Sequence, residues 1–318
     1  MLLTALYQKV SMKIFALILS LFYAASGAAA APSQEQPIKS EDANMSFVAI
    51  ADSQVSTYLF SRYKVFEPAA KDIVNNSGSF DALAFVGDIA ENGLAEEYQL
   101  VYDGIGGADC RFITATGNHD IRLRSYRQSS ERFAAFTNAL NGDDAMKEMH
   151  YTQVINGYKF IVLGSDRTEF EEAYLSPEQL AWLDSELAAQ GGKPVFVLCH
   201  QPLAYTHGLP DTWNSPIESA GSVGKQSDEL KSILGKYENV FLISGHLHTG
   251  FGKFTYQEID GFHSINLPSF CIENKDGDYN DAGIGYVVEV YDDEVVFRAR
   301  DFGKGIWLPD YDLELPVE

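Results

Sequence analysis

Residues 46–56 read SFVAIADSQVS, a short apolar run that ends abruptly in polar residues. A mostly apolar run such as Phe47–Ala51 predicts a strand that is buried in the protein interior. Asp52 follows the last apolar residue directly, and Gln54 comes two positions later. A carboxylate at the end of such a strand is either a turn residue or a group held at the mouth of a sheet. The rest of the chain decides between these two interpretations.

Similar apolar runs recur along the chain, and helical patterns lie between them. The predicted strands cover 46–51, 82–86, 111–115, 158–164, 194–199, 239–244, 253–258, 262–267, 285–291 and 294–300. The predicted helices cover roughly 64–76, 95–103, 129–140, the stretch that begins at Pro177, and 226–236. The alternation of strands and helices predicts the α/β class with a largely parallel central arrangement.

The boundaries of some elements carry specific signals. Ser176 is expected to cap the helix that begins at Pro177, with Gln179 completing a capping box. Asn156-Gly157 and Asp292-Asp293 each stand between two predicted strands, where they indicate hairpin turns.

Side chains that can bind metals follow five of the predicted strands. They are Asp52 and Gln54 after the first strand, Asp88 in GDIAENG, Asn118, His119 and Asp120 in TGNHD, His200 after 194–199, and His246 and His248 in GHLHTG. Because ligands of open α/β sheets sit beyond the carboxyl ends of the strands, we expect these side chains to converge. Asp52 is then one member of a set and not a lone turn residue.

Each of these residues also has an ordinary interpretation. Asp88 could cap a helix, Asn118 could serve a turn, and His200 could be a core histidine. Five unrelated coincidences at five strand ends are harder to accept than one shared site. The glycines beside the polar residues, Gly87, Gly93, Gly117 and Gly245, also suit sharp turns and close approach to a ligand. Mixed oxygen and nitrogen ligands of this kind indicate Zn, Fe or Mn.

The ordered set DSQ, GDIAENG, GNHD, CH and GHLH resembles the five-part signature of calcineurin-like metallophosphoesterases, over residues 47–250. The resemblance implies a four-layer α/β/β/α sandwich of two mixed sheets flanked by helices, with two metal ions at the strand ends. It assigns the first ion to Asp52, Gln54, Asp88 and His248, and the second to Asp88, Asn118, His200 and His246. Asp88 then bridges the two ions.

The resemblance also implies hydrolysis of phosphoesters, with a metal-bridging hydroxide as the nucleophile. We expect His119 to stabilise charge on the phosphate and to protonate the leaving oxygen, and Asp120 to orient His119. A phosphodiesterase is expected, and a phosphomonoesterase of the same fold is the alternative. A non-catalytic, metal-binding pseudoenzyme is a third interpretation, which the intact ligand set and His119 disfavour.

Gln54 departs from the family pattern, because most members have His at this position. A subset that includes the manganese-dependent ADP-ribose pyrophosphatases resembles this chain in having Gln. Amide oxygen suits Mn whereas imidazole suits Zn and Fe, so Mn is expected for the first ion, while Mn, Fe and Zn remain open for the centre. The tyrosine that colours purple acid phosphatases would fall near Glu91, so no purple absorption band is expected.

The chain has 318 residues and a formal charge of −22. Nucleic-acid polymers and anionic membranes repel so acidic a chain, so we expect a small phosphoester as its substrate. Two divalent ions would supply the local positive centre that an anionic substrate needs. Cys110, Cys199 and Cys271 allow at most one disulfide, and the sequence does not indicate an oligomeric state.

The first 31 residues have the pattern of a secretory signal peptide. Lys9 and Lys13 flank the start of the apolar stretch Ile14–Tyr23, and Ala28-Ala29-Ala30 offers a cleavage site. The apolar stretch is short for a bilayer span, so we expect cleavage and no stable membrane insertion afterwards. The alternative is an uncleaved anchor, and either methionine, Met1 or Met12, can be the true start.

The expected mature protein is secreted or periplasmic. Residues 32–45 are polar and contain two prolines, which predicts a short disordered leader. Residues 46–318 are expected to form the phosphoesterase domain.

Two groups of residues are weaker candidates for substrate binding. Arg122 and Arg124, with Arg127, follow His119 closely and could hold a second phosphate or a carboxylate, although such a run is usually a solvated face. His207 could reach the substrate or be an ordinary loop histidine. It lies in the stretch 203–224, a candidate specificity lid that also contains Tyr205 and Trp213.

Overall fold

Strand β1 spans Met45–Ile50, and all six of its residues are buried. Its side chains alternate between two apolar cores, with Phe47 and Ala49 in one and Val48 and Ile50 in the other. A strand that is covered on both faces needs apolar side chains at every position, which explains the unbroken run in the sequence.

The computed structural model describes residue 40, residues 42–213 and residues 221–318. The strands after β1 are β2 Ala82–Val86, β3 Arg111–Ala115, β4 Tyr151–Ile155, β5 Tyr158–Val162, β6 Val195–Leu198, β7 Val240–Ser244, β8 Tyr256–Ile259, β9 Phe262–Asn266, β10 Ile284–Val290, β11 Glu294–Asp301, β12 Ile306–Trp307 and β13 Leu313–Pro316. The α-helices are α1 Phe60–Asn76, α2 Ala95–Ile105, α3 Asn118–Ile121, α4 Tyr126–Asn141, α5 Pro177–Ala188 and α6 Ser227–Leu234.

The strands form two mixed sheets. The first has the order β12-β11-β10-β1-β2-β3, with β13 also paired to β11, and the second has the order β4-β5-β6-β7-β9-β8. In the first sheet β1, β2 and β3 are parallel, whereas β10 pairs with β1 in the antiparallel sense. In the second sheet β5, β6, β7 and β9 are parallel. The carboxyl ends of the parallel strands carry the motifs found in the sequence.

Three apolar cores separate four layers. The middle core lies between the sheets, where Phe47 of β1 packs edge-on against Phe160 of β5 and Phe196 of β6. A second core packs α1, α2 and α4 on the outer face of the first sheet, and a third packs α5 and α6 on the second sheet. The predicted four-layer α/β/β/α sandwich is confirmed.

The hairpin signals are confirmed. Asn156-Gly157 joins β4 to β5, and both residues have positive φ, 51° and 83°, as the tight turn of a two-residue hairpin requires. Asp292-Asp293 lies in the connection between β10 and β11, which are antiparallel neighbours.

The predicted capping box of α5 is confirmed for Ser176 but not for Gln179. The Ser176 hydroxyl accepts the backbone N–H of Gln179 at 3.2 Å, as predicted. The Gln179 amide does not return to Ser176, because it donates to Gly164 O and to Asp166 Oδ2, both at 2.8 Å. Asp166 instead accepts the backbone N–H of Ser176 at 2.8 Å. A carboxylate ten residues away therefore completes the cap, which a local sequence pattern cannot indicate.

The domain begins earlier than the predicted boundary at residue 46. Ala43 is buried, the Asn44 backbone N–H donates to Val290 O at 2.8 Å, and β1 starts at Met45. These residues were expected in a disordered leader, but pairing with β10 holds them against the first sheet. The predicted signal peptide, the choice of start and the rest of the leader lie outside the described residues. No helix in the part of the chain that the structure describes is long and apolar enough to cross a bilayer.

Candidate metal centre

The predicted ligands lie on loops with a strained backbone at the carboxyl ends of the strands. Five of them have φ in the left-handed region: Asp52 at 57°, Gln54 at 38°, Asp88 at 50°, His246 at 75° and His248 at 50°. This region disfavours residues with a Cβ, so each such residue costs about 1–3 kcal/mol that the surrounding fold must offset. Strain of this kind concentrates where side chains must be aimed at a site.

Two glycines allow the loops to pack closely. Gly87 has φ of 79°, and a Cβ at this position would stand about 2.5 Å from His200 Nδ1. A Cβ on Gly117 would collide with the Asp88 carboxylate. Glycine is therefore needed at both positions to bring Asp88 and His200 together. This agrees with the expectation that the glycines beside the polar motifs allow close packing.

Asp88, His200 and His246 form a buried cluster whose ligand atoms all lie within 4.8 Å of one another. His200 Nε2 is 3.3 Å from Asp88 Oδ2 and 3.3 Å from His246 Nδ1. Donor atoms around one ion, each about 2.1 Å from it, are separated by roughly 3.0–3.4 Å. These two spacings therefore fit a single divalent ion.

His200 is held ready for metal binding. Its Nδ1 lies 2.8 Å from Val86 O, so donation of an Nδ1 proton to this carbonyl leaves Nε2 free as the ligand atom. Burial alone would lower the pKa of His200, yet the carboxylates of Asp88 and Asp52 raise it to about 10. Burial would raise the pKa of Asp88, but His200 and His119 hold it well below its usual range. The two carboxylates thus favour a positive charge at His200 Nε2, which a metal ion would supply in place of a proton.

Asn118 presents its amide oxygen without a protein partner. Its Nδ2 donates to Phe170 O at 3.2 Å, which fixes the orientation of the amide. Its buried Oδ1 has no hydrogen bond within the described part of the chain. A buried acceptor left unpaired costs free energy, so a ligand for Oδ1 is expected, and a metal ion is one.

His246 is contacted on its face and at its outer edge. Its ring stacks on Trp213, with centroids 4.5 Å apart. Its buried Nε2 has no hydrogen-bond partner among the described residues, and the Glu171 carboxylate is the nearby acidic group, 3.9 Å away. If Nδ1 binds a metal, Nε2 carries the proton, and Glu171 is the group placed to accept it.

The other predicted ligands lie beside this cluster. His248 Nε2 is 3.2 Å from Asp52 Oδ1, and the second carboxylate oxygen of Asp52 accepts the His246 backbone N–H at 2.9 Å. Gln54 Nε2 donates to Asp88 Oδ2 at 2.9 Å and lies 3.5 Å from His248 Nε2. A ligand role for the Gln54 oxygen therefore requires its amide to turn by half a rotation.

His119 stands next to the cluster with one ring nitrogen turned away from it. Its Nδ1 is 2.9 Å from the backbone oxygen of Glu91, whereas its Nε2 is 3.8 Å from Asp88 Oδ2. Burial lowers the pKa of His119, but the carboxylates of Asp88 and Glu91 outweigh burial and raise it. A histidine that holds its proton and aims Nε2 at the site is suited to donate that proton.

Asp120 does not orient His119, so this prediction is wrong. Its carboxylate accepts the backbone N–H groups of Gly117, Ile89 and Ala90 and the Tyr98 hydroxyl, at 2.9–3.3 Å. None of these bonds reaches the His119 ring. Asp120 instead ties the loop after β2 to the loop after β3, which places Asp88 beside Asn118. Burial and the Asp88 carboxylate raise the pKa of Asp120 to about 6.

Glu91 has the role expected of Asp120. Its backbone oxygen contacts His119 Nδ1, and its carboxylate lies 3.3 Å from the same nitrogen. Arg62 pairs with this carboxylate, and Arg122 approaches it at 3.4 Å. Burial would raise the pKa of Glu91, but His119 and Arg62 lower it. Glu91 thus stays ionised beside His119.

The arginines after His119 differ in position. Arg122 is near the site through Glu91, which keeps it a candidate for substrate binding. Arg124 is exposed and has no polar partner among the residues that the structure describes. Arg127 pairs with Glu131 on the exposed face of α4, the ordinary role that such runs have.

His207 is a structural histidine, and its candidacy for substrate binding is wrong. The residue is fully buried, with Nδ1 2.7 Å from Phe254 O and Nε2 2.9 Å from the Ser264 hydroxyl. Burial lowers its pKa to about 4. Both nitrogens are occupied, so none is left for a substrate. The predicted lid, 203–224, lies partly outside the described residues.

Sequence reasoning missed Arg62, Glu171 and the role of Glu91. Arg62 lies in a helix, ten residues after Asp52, where no motif marks it. Glu171 belongs to a loop of several acidic residues, and only the fold shows which of them faces His246. Glu91 stands inside the quoted GDIAENG motif, so its polar side chain next to Asp88 was a usable signal.

Comparisons with known proteins identify the family of the chain. The family model of the calcineurin-like phosphoesterases matches residues 45–250. A probable glycerophosphodiester phosphodiesterase of Arcobacter nitrofigilis is 29% identical over 174 residues, 53% of this chain and 56% of the relative. A 3',5'-cyclic-nucleotide phosphodiesterase of Nostoc is 25% identical over 194 residues, 61% of this chain and 64% of the relative. The chain thus matches only part of the length of these relatives.

Solved structures show the same fold. A purple acid phosphatase from yellow lupin seeds superimposes with a TM-score of 0.60 at 13% identity, over 86% of this chain and 53% of that one. The anchor protein GAP50 of the Plasmodium inner membrane complex gives 0.59 at 15% identity, over 86% and 89%. At such low identity these likenesses concern the fold alone. Because the family model covers more than half of the chain, the chain belongs to the calcineurin-like phosphoesterase family.

Proposed function

We propose that the chain is a metal-dependent hydrolase of phosphodiesters. The observation that carries the proposal is the arrangement of Asp88, His200 and His246 within 4.8 Å of one another, with His119 beside them. One group of residues can hold a cation, and the neighbouring imidazole can hold a proton. A bound cation and a general acid are the two groups that metal-assisted hydrolysis of a phosphoester with a poor leaving group uses.

Two divalent ions are proposed at this centre, one held by Asp88, Asn118, His200 and His246 and the other by Asp52, Gln54, Asp88 and His248. When bound, such ions neutralise charge on the phosphate and lower the pKa of an attacking water. Mn is proposed for the position that includes Gln54, and Mn, Fe or Zn for the other.

His119 is proposed as the general acid. Water adds its oxygen to phosphorus, the bond from phosphorus to the leaving oxygen breaks, and the leaving oxygen takes a proton from His119 Nε2. The Glu91 carbonyl holds Nδ1 at 2.9 Å, which keeps Nε2 aimed at the site. The water's own proton is then available to restore the neutral imidazole to its acid form.

A diester is favoured over a monoester because the two relatives described above are both called phosphodiesterases. A phosphomonoesterase of the same fold is the second candidate. Arg122, which approaches Glu91 beside His119, would suit the extra negative charge of a monoester. A pseudoenzyme is disfavoured because the sequence keeps every residue of the expected ligand set, together with His119.

The test of the function uses purified protein with Mn, Fe or Zn added back after chelation. Bis(4-nitrophenyl) phosphate and 4-nitrophenyl phosphate are compared, and the diester is expected to be hydrolysed faster. Faster hydrolysis of the monoester would favour the second candidate. Metal binding without hydrolysis of either ester would leave the pseudoenzyme as the better interpretation.

Secretion after signal cleavage is proposed from the sequence, because Lys9 and Lys13 precede a short apolar stretch and a run of alanines. Expression in a Gram-negative host, followed by fractionation and N-terminal sequencing, tests it. A mature N-terminus near residue 31 in the periplasm is expected. An intact N-terminus in the membrane fraction would mean an uncleaved anchor.

A further inference from the structure

Exposed apolar side chains are concentrated on the loops that surround the metal centre. Six exposed, large hydrophobic residues belong to this group within the described part of the chain. Five of them follow a strand that carries a predicted metal ligand. The sixth, Phe170, contacts the predicted ligand Asn118 through its backbone oxygen. We call them the apolar rim: Tyr58, Leu59, Phe60, Leu123, Phe170 and Tyr205. The remaining exposed large hydrophobic residues in the described ranges are Tyr102, Val154 and Ile306, on α2, β4 and β12.

Three members of the rim are consecutive. Tyr58, Leu59 and Phe60 are 78%, 42% and 67% exposed, just after Gln54 and its loop. A run of exposed apolar residues is avoided on soluble surfaces unless it binds something. In a chain with a charge of −22, such a run is a marked departure from the rest of the surface.

Hydrogen bonds place these loops side by side around His119. Arg62, two residues after Phe60, donates to Gln54 O at 3.1 Å and pairs with Glu91. Arg122, next to Leu123, approaches the same Glu91 carboxylate at 3.4 Å. The two loops therefore meet at the residue whose backbone oxygen contacts His119.

The loop of Phe170 joins this group from the other side. The Thr168 hydroxyl donates to Ile121 O at 3.2 Å, and Phe170 O accepts from Asn118 at 3.2 Å. The Phe170 side chain itself is 73% exposed. Exposed apolar side chains thus lie on three segments of the chain next to His119 and Asn118.

We infer that the apolar rim binds an apolar alcohol arm of the substrate, so that the substrate class is a phosphoester with an alkyl or aryl group. The inference rests on the proposed function. His119 delivers its proton to the leaving oxygen, so the group attached to that oxygen extends along the loops beside His119. These are the loops that carry Leu123 and Phe170, together with the start of α1 at Phe60.

The test measures binding of alkylphosphonates, from methyl- to octylphosphonate, to the metal-loaded protein by calorimetry. These probes carry a phosphate-like head and an apolar arm, and their carbon–phosphorus bond resists hydrolysis. Each methylene that the rim covers should tighten binding by up to about fourfold. The slope of affinity against chain length should fall in the double variant Tyr58→Ser/Phe60→Ser and in Phe170→Ser.

Matched controls are Tyr102→Ser and Val154→Ser, which remove exposed apolar side chains from α2 and β4. They should keep the wild-type slope. Both control variants and Tyr58→Ser/Phe60→Ser should bind methylphosphonate with the wild-type affinity, because the head group does not touch the rim. A second series, hydrolysis of dialkyl phosphates followed by phosphorus NMR, should show the same trend in kcat/KM.

The possible results separate the inference from the function on which it rests. Equal affinity for all chain lengths, or a slope that survives in the rim variants, overturns the inference while methylphosphonate binding and diester hydrolysis leave the function standing. Loss of slope in the control variants overturns it as well. If the rim variants change only binding to phosphatidylcholine vesicles, the rim docks on a bilayer and the inference is wrong. If neither methylphosphonate binding nor hydrolysis is seen, the proposed function fails and the inference fails with it.

Discussion

The two halves of the metal centre differ in how firmly their side chains are held and in the exposure of one histidine, His248. The inner half consists of Asp88, Asn118, His200 and His246, each of which is at most 2% exposed. The outer half adds Asp52, Gln54 and His248 to the shared Asp88. His248 has a side chain that is 22% exposed, and Gln54 offers a neutral amide where an imidazole is usual in the family. The difference predicts that the two proposed ion positions are unequal.

The inner half is held by contacts outside the cluster. Val86 O fixes the His200 ring, Phe170 O fixes the Asn118 amide, and Trp213 stacks on His246. In the outer half, the Gln54 amide as placed turns its nitrogen to Asp88 and must rotate to offer oxygen. Ligands that are already oriented lose less freedom on binding, so the inner half should bind its ion more tightly.

The largest expected effect comes from the residue that both halves share. Asp88→Asn removes a charge from both proposed ion positions while keeping the shape of the side chain. Hydrolysis should fall more than about 1,000-fold, because the protein binds its ions less tightly and the ions then stabilise the charge on the phosphate less well. Steady-state rates and elemental analysis measure the effect, with Asp278→Asn, at an exposed position, as the matched control. Wild-type activity and metal content in Asp88→Asn would show that Asp88 is not shared.

His119 tests whether proton transfer is separate from metal binding. His119→Ala should keep both ions, while turnover of esters with poor leaving groups falls about 100-fold or more. The loss should shrink for nitrophenyl esters, whose leaving oxygen needs no proton. Rates over a series of leaving groups, with metal content measured on the same samples, check this. A collapse of metal content would make His119 a ligand and contradict the division of roles.

Glu171 tests the firmness of the inner half. Glu171→Ala should lower the affinity of the inner half for its ion by about 10–100-fold, the usual cost of losing the hydrogen-bond partner of a ligand histidine. Glu171→Gln keeps an acceptor for His246 Nε2 and should lose much less. Competition with a chromogenic chelator measures the affinity. Glu169→Ala, which only breaks an ion pair with Arg167 on the same loop, is the control. Equal losses in the Gln and Ala variants would mean that the charge of Glu171 matters and not its hydrogen bond.

Gln54 tests the outer half, with a smaller expected effect. Gln54→His should tighten retention of Zn or Fe, and Gln54→Ala should raise the Mn concentration needed for activity. Each change should be within about tenfold, the worth of one good contact. Metal-dependent activity curves after dialysis supply the measurement. If both variants keep the wild-type metal preference and Mn requirement, Gln54 does not touch the ion and only orients nearby groups.

The same contrast explains which parts of the site could be predicted from the sequence. The strand ends and their ligands are local patterns, because an apolar run followed by Asp52 or His200 marks both the strand and the point where it stops. The partners of those ligands depend on which loops meet in the fold. Asp120 follows His119 in the chain but bonds the loop of Ile89 and Ala90, whereas Glu91, from a different loop, contacts His119.

His207 shows the converse limit. A histidine in a long loop after a ligand strand has the local features of a substrate contact. The structure buries it between Phe254 O and the Ser264 hydroxyl, residues about fifty positions further along the chain. Distant partners of this kind leave no mark near the residue itself.

The layers of the fold were predictable for the opposite reason, since the alternation of β1 side chains between two cores is a property of one short segment.

The central claim is that the centre binds two ions with unequal affinity, the inner one more tightly. Calorimetric titration of chelated protein with Mn, with elemental analysis after dialysis, tests it most directly. Two binding events are expected, separated by at least about tenfold in Kd, a difference of about 1.4 kcal/mol. Dialysis should leave close to one ion per chain, and activity should return as the second site fills. Two equal sites, a single site, or loss of both ions together would contradict the account.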